Sequence, residues 1–353
     1  MDDEPVRGGY PDPSLLAMSG LDRMRASFRG QMPPPPIHHL FGLTPVNAGA
    51  ASVTFSMPAS PWLQTGAGVF LAGTAALVAD APLGGSVMAP LGPGQIIMTS
   101  DLSFNFLRPV GVDSGHLIAR ARPIEIGSRL GVAEALVEDG HGRAVAHCTT
   151  RCFIMSLDPP DGPSEPPGVE VATYDTPDPY LRPTPRLPIP VETWEQTTFV
   201  EIIDRQNRGE FEPPPFSQLF GITEPTAGEG RFGSSMIPTG WHTSPAGSVY
   251  GGVIAYLADS VLTGAFSTTL STTEIAAPLD LKVQFLRPIF PDGRKLTVEA
   301  KVTHRGRNFA VAQARIVNAD GKTVALATSS ATIIAGRSWG SFIVADESPI
   351  PAP

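Results

Sequence analysis

Residues 248–260 read SVYGGVIAYLADS: two glycines open an apolar run, and one aspartate, Asp259, closes it. A run that is apolar nearly all round predicts a buried helix, here over 252–263, with a lone carboxylate near its end. The stretch is not unique in the chain. Moved by 179 residues, the sequence lines up with itself without a gap, and Asp80 falls on Asp259 (259 − 80 = 179). The earlier copy of the run reads VFLAGTAALVADA at 69–81 and predicts a helix over 69–80. In the same register PPP at 34–36 meets PPP at 213–215, and LFGLT at 40–44 meets LFGIT at 219–223. Trp62 meets Trp241, and DLSFNFLRP at 101–109 meets DLKVQFLRP at 280–288. One register held over that length makes the chain two copies of one fold, 14–155 and 193–336. A Pro-rich linker over 156–192 joins them, and a tail runs over 337–353.

Each copy opens with a short amphipathic helix, SLLAMSGLDRMRASFRG or TWEQTTFVEIIDRQNRG, ahead of its proline cluster. A strand follows near 50–57 or 230–237, and then the apolar helix. Beyond it the pattern alternates with period two. Leu102, Phe104 and Phe106 face one way and Ser103 and Asn105 the other; Leu281, Val283 and Phe285 oppose Lys282 and Gln284. Such alternation marks half-buried antiparallel strands. More strands follow near 115–123 and 130–138, with tight turns such as EDGHGR and NADGK. The fold class is therefore α+β, with an antiparallel sheet wrapped around a central apolar helix, twice. Proline at the density of the linker blocks helix and central strand and predicts an extended segment over the surface. Arg108 and Arg287 end their strands before proline and read as structural, ion-paired residues.

The chain has 353 residues, 42% of them hydrophobic, which is enough for two cored units. Its net charge of −9 argues against nucleic acid or an anionic membrane surface as partner. The acidic, proline-rich start has no basic region followed by an apolar one, so no signal peptide is expected. The two cysteines, Cys148 and Cys152, read as small buried side chains, and a reducing cytoplasm fits them. The histidines form no ligand cluster, so no metal is expected. There is no G-x-S-x-G and no P-loop.

The order GG-x5-LAD, DL-x3-FLRP, HRGR and NADGK resembles the PaaI-like hotdog acyl-CoA thioesterases over about three quarters of the chain. The resemblance implies two tandem hotdog domains and hydrolysis of an acyl-CoA thioester. No separate cofactor is then required, since coenzyme A is part of the substrate. Hotdog pairs often stack further, so a homo-oligomer of the double unit is expected. A non-catalytic acyl-CoA-binding protein, a degenerate relative, is the alternative.

A thioester needs activated water and a stabilised oxyanion. Helix N-termini offer free N–H groups, and glycines there admit close approach, which suits Gly251 and Gly252. An aspartate in apolar surroundings holds its proton more tightly and suits a general base or nucleophile. Gly251 and Asp259 are eight residues apart, roughly 12 Å along one helix, so they cannot serve one carbonyl. A working site must pair the aspartate of one copy with the helix start of the other. Asp80 then joins Gly251 and Gly252, and Asp259 joins Ala72 and Gly73; the first pair is favoured because Ala72 crowds the second. The family pattern N-x2-G-x2-HGG corresponds here to SPAGSVYGG and TGAGVFLAG. Ser244 and Thr65 replace its Asn, and Tyr250 and Leu71 its His. The two hydroxyls are expected to hold a water, with Thr99 as a further helper where the second copy has Pro278. Arg305 and Arg307 of HRGR, with Arg129 in the first copy, resemble the family's contacts to coenzyme A phosphates. No Asp-x4-His pair is present, which disfavours hydration of an enoyl thioester.

Overall fold

The structure, a computed structural model, describes residues 4–158, 172–185 and 189–339. The first half contributes strands β1 (Thr44–Ala48), β2 (Val53–Pro58), β3 (Gln95–Phe106), β4 (His116–Ile126), β5 (Leu130–Asp139) and β6 (Ala144–Ser156). The second contributes β7 (Ile222–Gly228), β8 (Arg231–Met236), β9 (Glu274–Pro278), β10 (Asp280–Phe285), β11 (Leu296–Arg305), β12 (Phe309–Val317) and β13 (Thr323–Ala335). Helices α1 (Gly20–Phe28), α2 (Pro36–Phe41) and α3 (Thr74–Met88) belong to the first half. Helices α4 (Val191–Gln196), α5 (Phe199–Asn207), α6 (Pro215–Phe220) and α7 (Gly251–Ser267) belong to the second.

The two alternating segments become strands that pair with each other. β3 and β10 run antiparallel, with Leu281 opposite Phe104, Lys282 opposite Ser103 and Val283 opposite Leu102. Ser103 and Lys282 are repeat equivalents (282 − 103 = 179), so the local two-fold axis relating the halves passes between them. This pair fuses both halves into one 13-stranded antiparallel sheet, in the order β1-β2-β4-β5-β6-β3-β10-β13-β12-β11-β8-β7, with β9 on β13. Leu102, Phe104, Leu281 and Val283 are buried, whereas Asn105, Lys282 and Gln284 are exposed. The pleat thus sends the apolar set of both strands inward, as the alternation requires.

Each half of the sheet wraps its own helix. α3 packs on β2, β4, β5 and β6; α7 packs on β8, β11, β12 and β13; and the two helices pack on each other. The result is two tandem hotdog units around one continuous core. Both helices differ from the expected spans. α3 starts at Thr74, not at 69, because Gln64 and Phe70 form a β-bridge around Gly68, at φ 78°. Both helices also continue past their aspartates. They run beyond the expected ends at 80 and 263, where Leu83 and Val87 of α3, and Ala265 and Phe266 of α7, are fully buried and hold the extra turns. The aspartates therefore lie mid-helix rather than at an end.

Each opening amphipathic helix is broken in two. Ser19 caps α1 after a 3-10 turn, and Thr198 caps α5 after α4. Among the described residues Arg108 and Arg287 make no ion pair of the expected kind: they donate to the carbonyls of Ala144 and Thr323, again equivalent positions. Cys148 and Cys152 are free and buried on β6. Of the linker, 159–171 and 186–188 lie outside the described residues, as does the tail from 340. Residues 172–185 are pinned to the first half. The Ser60 hydroxyl and the Trp62 indole N–H donate to the carbonyls of Tyr180 and Arg182, and Arg7 pairs with Asp178 at 2.8 Å. No helix among the described residues is long and apolar enough to cross a membrane.

Candidate active site

The antiparallel packing of α3 on α7 brings each aspartate to the start of the other helix. The Gly252 amide donates to Asp80 Oδ2 at 2.9 Å, and the neighbouring Gly251 amide also favours the charged form of this carboxylate. On the other side of the axis the Gly73 amide donates to Asp259 Oδ2 at 2.7 Å. These are equivalent arrangements, since 252 − 73 and 259 − 80 are both 179. A helix N-terminus has free N–H groups and the positive end of the dipole, so it is a natural seat for a carboxylate.

Glycine is required at these positions by close approach. A Cβ on Gly251 would stand 2.8 Å from Asp80 Oδ2. One on Gly252 would stand 2.6 Å from the Ala76 carbonyl oxygen, and one on Gly73 2.7 Å from Asp259 Cβ. Burial lifts both carboxyls from an ordinary 3.8 to about 6, with the amide hydrogen bonds offsetting part of the rise. A carboxyl that titrates there is ionised at neutral pH yet still basic enough to take a proton from water.

The two sites are not alike. Asp80 is 6% exposed and Asp259 0%, so only the first touches solvent. Asp259 Oδ1 is buried with no hydrogen-bond partner among the described residues. Each aspartate has a buried tyrosine beside it whose phenol is held well above its usual range by burial first and by the carboxylate second. Tyr250 accompanies Asp80 and Tyr256 accompanies Asp259. The sequence marks Tyr250 only as a residue in place of histidine, and Tyr256 is hidden in an apolar run. A phenol inside a helix that carries a lone carboxylate was the available signal.

The other expected residues fall in three places. Thr65 donates to the Val69 carbonyl at 2.9 Å, and Ser244 lies 3.4 Å from Ser248 and accepts from the Ala246 amide. Both hydroxyls serve their own turns. Thr99 lies 3.9 Å from the Cys152 thiol on the neighbouring strand β6. Pro278, its counterpart, sits in β9 opposite Ala331. The basic residues do not join the Asp80–Gly252 pair. Arg305 is bound to Glu274 at 3.1 Å in the wall of an open groove of about 690 Å3 that also contains Thr268. From Gly252 to Thr268 is sixteen residues of α7, about 24 Å. Arg307 is exposed on the same turn. Arg129 is exposed on the β4–β5 turn, where Gly131 lies against Val87 of α3, about 10 Å along that helix from Asp80.

The thioesterase superfamily matches residues 67–146 and again 246–325, two segments related by the same shift of 179. The PaaI protein from the phenylacetic acid degradation operon of E. coli is 30% identical over 85% of its own chain and 34% of this one, with a TM-score of 0.32. A hot dog fold protein of Alicyclobacillus acidocaldarius is 16% identical, covering 85% of this chain and 98% of its own, with a TM-score of 0.52. The tesB protein of Mycobacterium avium subs paratuberculosis is 13% identical over the same shares, with a TM-score of 0.50. The two longer likenesses bear on the fold alone. A comparison with curated proteins gave no match. With both of its halves matched and the hotdog architecture formed twice, the chain belongs to the thioesterase superfamily.

Proposed function

We propose that the protein hydrolyses acyl-CoA thioesters at the Asp80 site, with coenzyme A entering as part of the substrate. One observation carries the reading: a buried carboxylate of one half, poised near pH 6, accepts from the Gly252 amide at the glycine-rich start of the helix of the other half. The carboxylate itself accepts from the Gly252 amide. A thioester carbonyl oxygen that displaces it from one amide gains an oxyanion donor and frees a carboxylate oxygen for water. Asp80 takes a proton from that water as its oxygen adds to the carbonyl carbon, and the amide stabilises the oxyanion of the tetrahedral intermediate. When the intermediate collapses, the C–S bond breaks and the departing thiolate takes the proton from Asp80. The products are a carboxylic acid and free coenzyme A. The sealed Asp259 site is structural on this reading, and assembly of the double unit into a homo-oligomer belongs to the same reading.

The test is Asp80→Asn, Asp259→Asn and the double variant, with thiol release measured across a panel of acyl-CoAs. Asp80→Asn is expected to lower turnover roughly 10²- to 10⁴-fold, the usual worth of a general base. Asp259→Asn is expected to leave turnover near the parent. A double variant as fast as the parent refutes the assignment. A second reading, an acyl-CoA binder without turnover, is favoured by the occupation of the amides by Asp80 and of the Ser244 and Thr65 hydroxyls by their own turns. Saturable acyl-CoA binding with no thiol released by the parent protein would support it.

A further inference from the structure

Tyr250 touches both partners of the Asp80 site and has no counterpart in the other half. It caps α7 directly before Gly251, with an extended backbone at φ −60° and ψ 132°. Its side chain crosses into the first half. The hydroxyl accepts from the Ala81 amide at 2.7 Å and donates to the Leu77 carbonyl at 3.1 Å. Ala81 and Leu77 are four residues apart, the two groups that an undisturbed α-helix joins directly. The phenol therefore stands in the backbone ladder of α3, at the residue that follows Asp80. The next rung is missing too, because Pro82 has no N–H to give to Val78. Insertion of a side chain and a proline are both established causes of local bending. The turn that carries Asp80 is thus shaped from outside, by the residue adjoining the glycines whose amides hold its carboxylate. In the other half Leu71 occupies the position of Tyr250 (250 − 179 = 71), and α7 has Ser260 and Val261 where α3 has Ala81 and Pro82.

We propose that Tyr250 is a positioning residue of the Asp80 site, its hydroxyl in the α3 ladder setting the separation between the Asp80 carboxylate and the first amides of α7. Without the hydroxyl, Ala81 and Leu77 close onto each other at an ordinary N–H···O distance of about 2.9 Å. That closure retracts the turn bearing Asp80 from α7. A misplacement of up to about 1 Å at a reacting group costs up to about 100-fold in rate.

The proposal rests on the reading of Asp80 as the base, and the experiment separates the two. Tyr250→Phe, Asp80→Asn and the double variant are compared with the parent in kcat, KM and pH profile, with urea midpoints to select folded protein. Phenylalanine keeps the buried ring and removes only the hydroxyl. Tyr250→Phe is expected to lower kcat about 10- to 100-fold with KM within about twofold. Its acid limb is expected to move to higher pH, because weaker amide bonds stabilise the carboxylate less. No further loss is expected in the Asp80→Asn background. Parent-like kcat and acid limb in Tyr250→Phe, beside an inactive Asp80→Asn, overturn the role of Tyr250 alone. A loss confined to KM, or one that multiplies with that of Asp80→Asn, overturns it as well. A fully active Asp80→Asn overturns both readings.

Discussion

Folding carries Asp80 and Asp259 from water into apolar surroundings, and stability must register that transfer as a dependence on pH. Burial is the larger influence on each, and the amide bonds offset only part of it, so both carboxyls move from 3.8 to about 6. The folded state then binds these protons more tightly than the unfolded chain does. Stability from each group is fully present below the unfolded value, near pH 4, and is lost as pH rises through about 6. The difference is 6 − 3.8, about 2.2 pH units, which at 1.36 kcal/mol per unit comes to about 3 kcal/mol per aspartate at neutral pH. Asparagine keeps the shape and an oxygen to accept from the glycine amide, yet it never ionises. Any fixed cost of its NH2 group cancels when one variant is compared at two pH values. Asp259→Asn, measured against the parent by urea denaturation, is therefore expected to gain about 3 kcal/mol more at pH 7.5 than at pH 3. Asp80→Asn is expected to show the same differential together with lost hydrolysis, a pairing of gained stability and lost function typical of working sites. An effect of equal size at both pH values refutes the account of these carboxylates as groups destabilised by burial.

Gly251→Ala is expected to cut turnover about tenfold or more, because the new methyl sits within 2.8 Å of Asp80 Oδ2 and pushes the carboxylate aside; steady-state kinetics reads it. Gly73→Ala meets Asp259 in the same way, at 2.7 Å from its Cβ. It is expected to cost about 1–3 kcal/mol in urea denaturation, as overpacking does, while leaving turnover near the parent. The pH profile of kcat/KM is expected to rise with a midpoint near 6 as Asp80 ionises, and a profile flat from pH 5 to 8 counts against Asp80 as the base. Phe104→Ala, which empties a fully packed position opposite Leu281 on the seam between the halves, is expected to cost about 3–5 kcal/mol in the same denaturation assay.

The repeat, the α+β class, the wrapped helices and the pairing of each aspartate with its sister's glycines were all legible in the residues. Repetition at one offset, period-two alternation and a fully apolar helix are local patterns, and the 12 Å between Gly251 and Asp259 is simple helix arithmetic. The helix limits were less legible. Whether 69–73 continues a helix or forms a bridge, and whether α3 survives Pro82, depends on the sheet that buries Leu83 and Val87.

By itself, then, the sequence determined that two equivalent units exist and that one carbonyl can reach both an acid and helix-start amides only if they come from different units, because Gly251 and Asp259 stand about 12 Å apart on one helix. Only the tertiary structure decided that the two sites differ. The slight solvent contact of Asp80 against the full burial of Asp259, the binding of Arg305 to Glu274, and the reach of the Tyr250 hydroxyl between Leu77 and Ala81 all depend on residues distant in the chain. Their geometry arises only when α3 and α7 pack side by side, and no periodicity along one strand or helix encodes it.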